Sequence, residues 1–126
     1  MANYYAYART NYFNVNDDAA FKAALSEIPG IEFEKGSQGW VISATDDGGW
    51  PCWDENDCEI DLPALVAEHL AAEEVAVFQE VGHERLRYLT GYAEAINHRG
   101  ERASVGLEDI YRLAAELGST VTEAAY

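Results

Sequence analysis

Between Gly36 and Glu84 the chain carries 12 Asp and Glu side chains and not one Lys or Arg. A run of ionised carboxylates without a base is costly to bury, which favours a surface position for most of them. The remainder of the 126 residues holds 11 acids against 8 bases, so the window accounts for most of the net charge of -15 at pH 7. Such a charge disfavours nucleic acid and anionic lipid headgroups, and it attracts basic protein surfaces over a Debye length of about 8 Å. With 48% hydrophobic residues the chain can build one well-buried core. The expectation is a single domain over residues 1–118 and a loose tail over 119–126.

The hydrophobic pattern outlines that domain. Tyr4 to Val15, rich in Tyr and free of helix breakers, reads as a long first strand whose edge could pair with a second copy. Asn16-Asp17-Asp18 then supplies an N-cap and first-turn acids for a helix with Phe21, Ala24, Leu25 and Ile28 at helical spacing, stopped by Pro29-Gly30. Segments 31–35 and 40–45 form a hairpin pair, and Asp46-Asp47-Gly48-Gly49 is a turn that opens an irregular stretch to residue 61. Asp61 caps a second helix with Leu62, Leu65, Val66, His69 and Leu70 on one face and Pro63 in the first turn. Val75–Val81 reads as a buried strand, Tyr88–Asn97 as its longer partner, and Arg102–Val105 as a short strand after the His98-Arg99-Gly100 turn. A last helix places Leu107, Ile110, Tyr111, Ala114 and Leu117 on one stripe and ends at Gly118. This order predicts an α+β domain, an antiparallel or mixed sheet with about three helices packed on one face.

Absent signals exclude several classes. Met1-Ala2-Asn3-Tyr4-Tyr5 lacks the basic and apolar regions of a signal peptide, and no apolar run approaches the roughly 20 residues that span a bilayer, so a cytoplasmic location is expected. Cys52 and Cys58 are too few for a disulfide scaffold and suit reduced thiols. Asp54, Asn56, Glu59 and Asp61 loosely follow a calcium loop, but Glu59 stands where the sharp turn needs glycine. Cys52, Cys58, His69 and His83 are zinc-type donors at spacings that fit no compact ligand pattern. No metal, cofactor or catalytic residue is therefore expected. A Cys52–His69 nucleophile pair would sit among acids that raise the thiol pKa, and the glycines at 36, 39, 48 and 49 open turns without leading into a helix N-terminus. Tyr4, Tyr5, Tyr7 and Tyr12 around Arg9 could stack bases, yet no basic groove accompanies them.

The segment Glu55-Asn56-Asp57-Cys58-Glu59-Ile60-Asp61-Leu62 is the most informative. If extended, it turns Asn56, Cys58, Ile60 and Leu62 inward and sets Glu55, Asp57, Glu59 and Asp61 in an outward row about 6.6 Å apart. That is the scale of phosphates along a nucleic-acid strand, one per about 3.4 Å, so a basic groove built for phosphates would accept the row. The competing reading is a solvated edge strand whose charges discourage aggregation. A merely soluble surface, however, mixes both signs of charge. Beside the row, Trp50 and Trp53 could anchor an interface or plug a satellite core. The expected partner-binding set is Asp46, Asp47, Trp50, Trp53, Asp54, Glu55, Asp57, Glu59, Asp61, Glu68, Glu73 and Glu74.

In size, charge and the Glu55 to Asp61 row the chain resembles the DNA-mimic inhibitors of phages and mobile elements, which block restriction or CRISPR effector complexes. The resemblance implies a non-enzymatic inhibitor whose partner is a basic nucleic-acid-handling protein in the host cytoplasm. An immunity protein or antitoxin for a basic nuclease is the alternative within the binding class. A small metal-dependent hydrolase and a structural particle component are the alternatives outside it.

Overall fold

The tyrosine-rich opening becomes β1 (Tyr4–Thr10), in which Ala6, Ala8 and Thr10 are buried while Tyr5, Tyr7 and Arg9 face out. The computed structural model describes residues 4–54, 56–85 and 88–124. β1 stops short of Val15 because Asn11 leaves the ladder: its Nδ2 donates to the Val75 carbonyl (3.1 Å) and its Oδ1 accepts from Val77 N (2.8 Å). Phe13 and Val15 then make only isolated bridges, to Trp40 and Leu70.

Helix α1 (Asp18–Leu25) starts where Asp17 Oδ1 accepts from Ala20 N (3.1 Å), and it buries Phe21 and Leu25. Strands β2 (Ile31–Gly36) and β3 (Gly39–Ala44) form the expected hairpin. Gly39 sits at φ 122 with Phe13's carbonyl against its Cα, a place that no side chain could share. Helix α2 (Leu62–Ala67) follows the irregular stretch, capped by Asp61 with Pro63 in its first turn. Then come β4 (Val75–Glu84), β5 (Tyr88–Asn97), β6 (Arg102–Gly106) and helix α3 (Asp109–Ala114).

All six strands make one sheet in the order β2-β3-β1-β4-β5-β6, every neighbouring pair antiparallel. Because β1 lies inside, α1 must cross β3 to reach β2, and segment 45–74 must cross β1 to reach β4. Both crossings use the same face: Phe21 and Leu25 of α1 and Leu62 and Val66 of α2 share one core with Phe13, Ile42, Phe78 and Ile96. Phe21 is its centre, packed edge-on against Phe13 (5.8 Å), Trp40 (5.3 Å) and His69 (5.6 Å). The internal place of β1 also means that its edges are occupied by β3 and β4, so it cannot pair with a second copy; the free edges are β2 and β6.

The expectation of an α+β domain with about three packed helices is corrected here. Strands and isolated bridges hold 42% of the described residues and helices only 17%, so the sheet dominates. Only α1 and α2 pack on it, and an irregular loop supplies the rest of the cover on that face. The periodic stripe of the last helix is present, yet α3 buries none of its residues, because periodicity reports a face without reporting what lies opposite it. Val75 to Val81, expected to be buried, extends to Glu84 and leaves Val75 and Val81 exposed. Among the described residues no helix is long and apolar enough to cross a membrane.

Candidate functional site

The acid-rich window unrolls over the helix-bearing face as the β3-to-β4 connection. Gly49 N donates to the Asp46 carbonyl (3.2 Å) and Gly49 takes φ 89, which closes the predicted turn and leaves the Asp46 and Asp47 side chains in solvent. The Asp47 carbonyl accepts from Ala6 N (2.6 Å), so the turn is fastened to β1.

Trp50 and Trp53 have different fates. Trp50 is drawn inward: its ring packs edge-on against Phe78 (5.4 Å), and its amide donates to Glu80 Oε1 (2.8 Å). Glu80 is a buried carboxylate that also accepts from Tyr4 Oη (2.9 Å). This arrangement makes Trp50 part of the core rim, whereas Trp53 stands 59% exposed.

Residues 52–60 do not form an extended row. Ile60 N donates to the Cys52 carbonyl (2.8 Å) and Asp54 N to the Cys58 carbonyl (2.9 Å), with Trp53 bridged to Glu59. Inside this closed loop Asp54 Oδ1 accepts from the amides of Asn56 (2.8 Å) and Cys58 (2.9 Å), and Asp57 adopts φ 60. The short Asp and Asn side chains satisfy the backbone locally and outcompete a strand, as they do in turns. Two consequences correct the extended reading. Cys58 is exposed and not inward, and the Asp54 carboxylate is committed to its own loop. Asp57 and Glu59 project into solvent beside Trp53, and Glu55 lies outside the described residues.

Asp61 leads a second life as the α2 cap. It accepts from Ala64 N (3.3 Å) and pairs with Arg102 of β6, whose Nη1 lies 2.8 Å away. Arg102 also pairs with Glu94 of β5. The hydrogen-bonded Arg102 guanidinium holds the Asp61 carboxyl below its ordinary range. Beside this pair, burial pushes the Tyr92 hydroxyl up to about 12, with nearby Glu80 adding to the effect. At the far end of α2, Glu68 and Glu73 are exposed, while Glu74 Oε1 accepts from Asn14 N (2.6 Å).

The structure thus exposes Asp46, Asp47, Trp53, Asp57 and Glu59 on the turns before α2, and places Glu68, Glu73 and Glu74 after it. No family model, curated protein or solved structure matches the chain. Chemistry must therefore be read from these side chains alone. Among the described residues no three His, Cys, Asp or Glu side chains converge as metal ligands, and both thiols are free and exposed. Among the described carboxylates of the window, Asp61 alone sits in an ion pair. Sequence reasoning missed Arg102, which reaches into the window from 41 positions away. Only the alternation of β6, which sets Arg102 on the same face as Glu94, could have signalled it.

Proposed function

We propose that the chain is an acidic inhibitor that binds a basic nucleic-acid-handling protein, such as a CRISPR effector or restriction complex, by placing carboxylates where that protein holds phosphates. One observation carries the reading: Asp46, Asp47, Asp57 and Glu59 are exposed on the two turns that flank Trp50 and Trp53 in the chain, with no cation paired to them among the described residues. A stretch free of Lys and Arg costs a fold the stabilisation of mixed-sign surfaces, and an opposite charge brought by a partner compensates for it. The carboxylates act as a cluster on two loops rather than as a linear row, and Trp53 supplies an apolar anchor among them. The protein works in the cytoplasm of the cell that houses its partner.

The test is capture from a bacterial lysate on immobilised chain, at about 0.05 M and about 0.5 M salt, where the screening length falls several-fold. The wild-type chain is expected to retain a basic nucleic-acid-handling protein at low salt, release it at high salt and block its binding to DNA. The double variant Asp57→Lys/Glu59→Lys is expected to lose the capture. Undiminished capture by that variant would remove this loop as the contact surface. Capture of a single basic nuclease would move the reading to an immunity protein.

A further inference from the structure

The face of the sheet opposite the helices has no cover. On it Tyr7 of β1 pairs with Val81 of β4 and Val81 with Gly91 of β5, while Val105 of β6 pairs with Ala93. Gly91 and Ala93 make a low floor between the walls formed by Tyr7, Val81, Val105 and Leu107, enclosing a groove of ≈ 680 Å³. Tyr7 is 84% exposed, and Val81, Leu89 and Val105 are each more than half exposed. Leu107 folds over Gly91, its amide donating to the Gly91 carbonyl (2.8 Å), and leads straight into α3. That helix exposes Ile110 and Leu113, the turn after it exposes Leu117, and no α3 side chain is fully buried.

The groove itself carries little charge. By the strand register, β1, β4, β5 and β6 place no carboxylate on it; Glu80, Glu84 and Glu94 all point to the helix side. Its one Arg or Lys from these strands is Arg9, which lies over the Tyr12 ring at 5.7 Å. The acids of this sheet face are confined to its β2 edge, where Glu32 pairs with Ser43 and Glu34 with Val41.

We propose that this face is the interface of a homodimer, in which α3 of each copy lies in the sheet groove of the other. Four lines of argument select a second copy as the occupant. The exposed apolar side chains of the face and α3 offer on the order of 1,000 Å², more than the few hundred Å² that monomers commonly show and above the roughly 800 Å² per partner of a standard interface. Groove and ridge stand side by side on one chain, which is the self-complementarity that a two-fold interface requires. A helix of six residues with no buried side chain is far below the length that holds by itself in water, and a partner's groove supplies what it lacks. Finally, the four strands that line the groove bring no carboxylate of their own to the contact, so no sheet acid there opposes Glu108, Asp109 and Glu116 in and around α3.

This inference is independent of the inhibitor reading, and its test uses no partner. Sedimentation of the full-length chain is expected to give a dimer that persists in about 1 M NaCl, where charge-driven contacts are screened. Val81→Glu and, separately, Leu113→Glu are expected to raise the dimer dissociation constant at least about tenfold with an unchanged far-UV circular dichroism spectrum. Leu113 is half exposed and lies outside the core, so its variant keeps the fold even if a charge in β4 disturbs it. A wild-type chain that sediments as a monomer at tens of micromolar, or a dimer indifferent to both substitutions, overturns the proposal. A monomer that captures another protein through this face overturns it equally.

Discussion

Three side chains show how one group can be asked to do two things. Asp61 caps α2 and pairs with Arg102, and the two roles separate by substitution. Asn retains the capping oxygen, so Asp61→Asn is expected to change stability little, because the ion pair is solvent-exposed and worth at most about 1 kcal/mol. Asp61→Ala removes the cap as well and is expected to cost about 1 kcal/mol more in urea denaturation. Glu80 accepts from Trp50 N and Tyr4 Oη, so Glu80→Ala leaves the Trp50 amide without its acceptor, while Tyr4 Oη keeps Thr90 Oγ1 (3.1 Å), and is expected to cost about 1–3 kcal/mol by the same measurement. Tyr92 has a hydroxyl pKa raised from 10.0 to about 12 by burial. Folding therefore favours its protonated form, and that contribution is complete below about pH 10 and lost as pH rises towards 12. The unfolding midpoint is expected to fall over this interval, and Tyr92→Phe is expected to make the fall shallower.

Among the elements, the two packed helices owe little to their own length. At eight and six residues, α1 and α2 hold because Phe21, Leu25, Leu62 and Val66 enter a common core and because Asp17 and Asp61 cap them. Phe21→Ala empties the centre of that core and is expected to destabilise the chain by about 3–5 kcal/mol in denaturant titration. These helices, their caps and the β2–β3 hairpin were legible in the sequence because each is specified locally, by a capping side chain, a glycine or an apolar spacing. α3 shows where local information stops. Its stripe of Leu107, Ile110, Tyr111, Ala114 and Leu117 reads like that of a packed helix, but the chain covers Tyr111 and Ala114 only in part and leaves Leu107, Ile110 and Leu117 exposed. The segment 52–60 fails for the converse reason: alternation suggested a strand, while Asp54 and Asn56 offered the backbone nearer partners.

The whole molecule is polarised across its sheet. Acid-bearing loops and the core lie on one side, and an apolar groove with Glu32 and Glu34 at the β2 edge lies on the other. Self-repulsion of a net charge of -15 opposes the compact state, so added salt should stabilise it. The thermal midpoint is expected to rise between about 0.02 M and about 0.5 M NaCl as the screening length shortens. A midpoint that falls with salt would mean that the few ion pairs, led by Asp61–Arg102, outweigh the repulsion. The candidate site was readable as a composition, since a window without Lys or Arg needs no coordinates to be seen. Its shape was not readable, because the separation of Glu68 and Glu73 from the Trp53 loop depends on where α2 lies.

Local chemistry along the chain determined the strands, the helix caps, the turns and the placement of charge in solvent, since each depends on residues a few positions apart. The order of strands, the burial of Glu80, the reach of Arg102 into the acidic window and the uncovered face beneath α3 arose only on folding. Each joins residues that are distant in sequence, and the energy that selects them comes from packing and desolvation, which no local pattern of residues records.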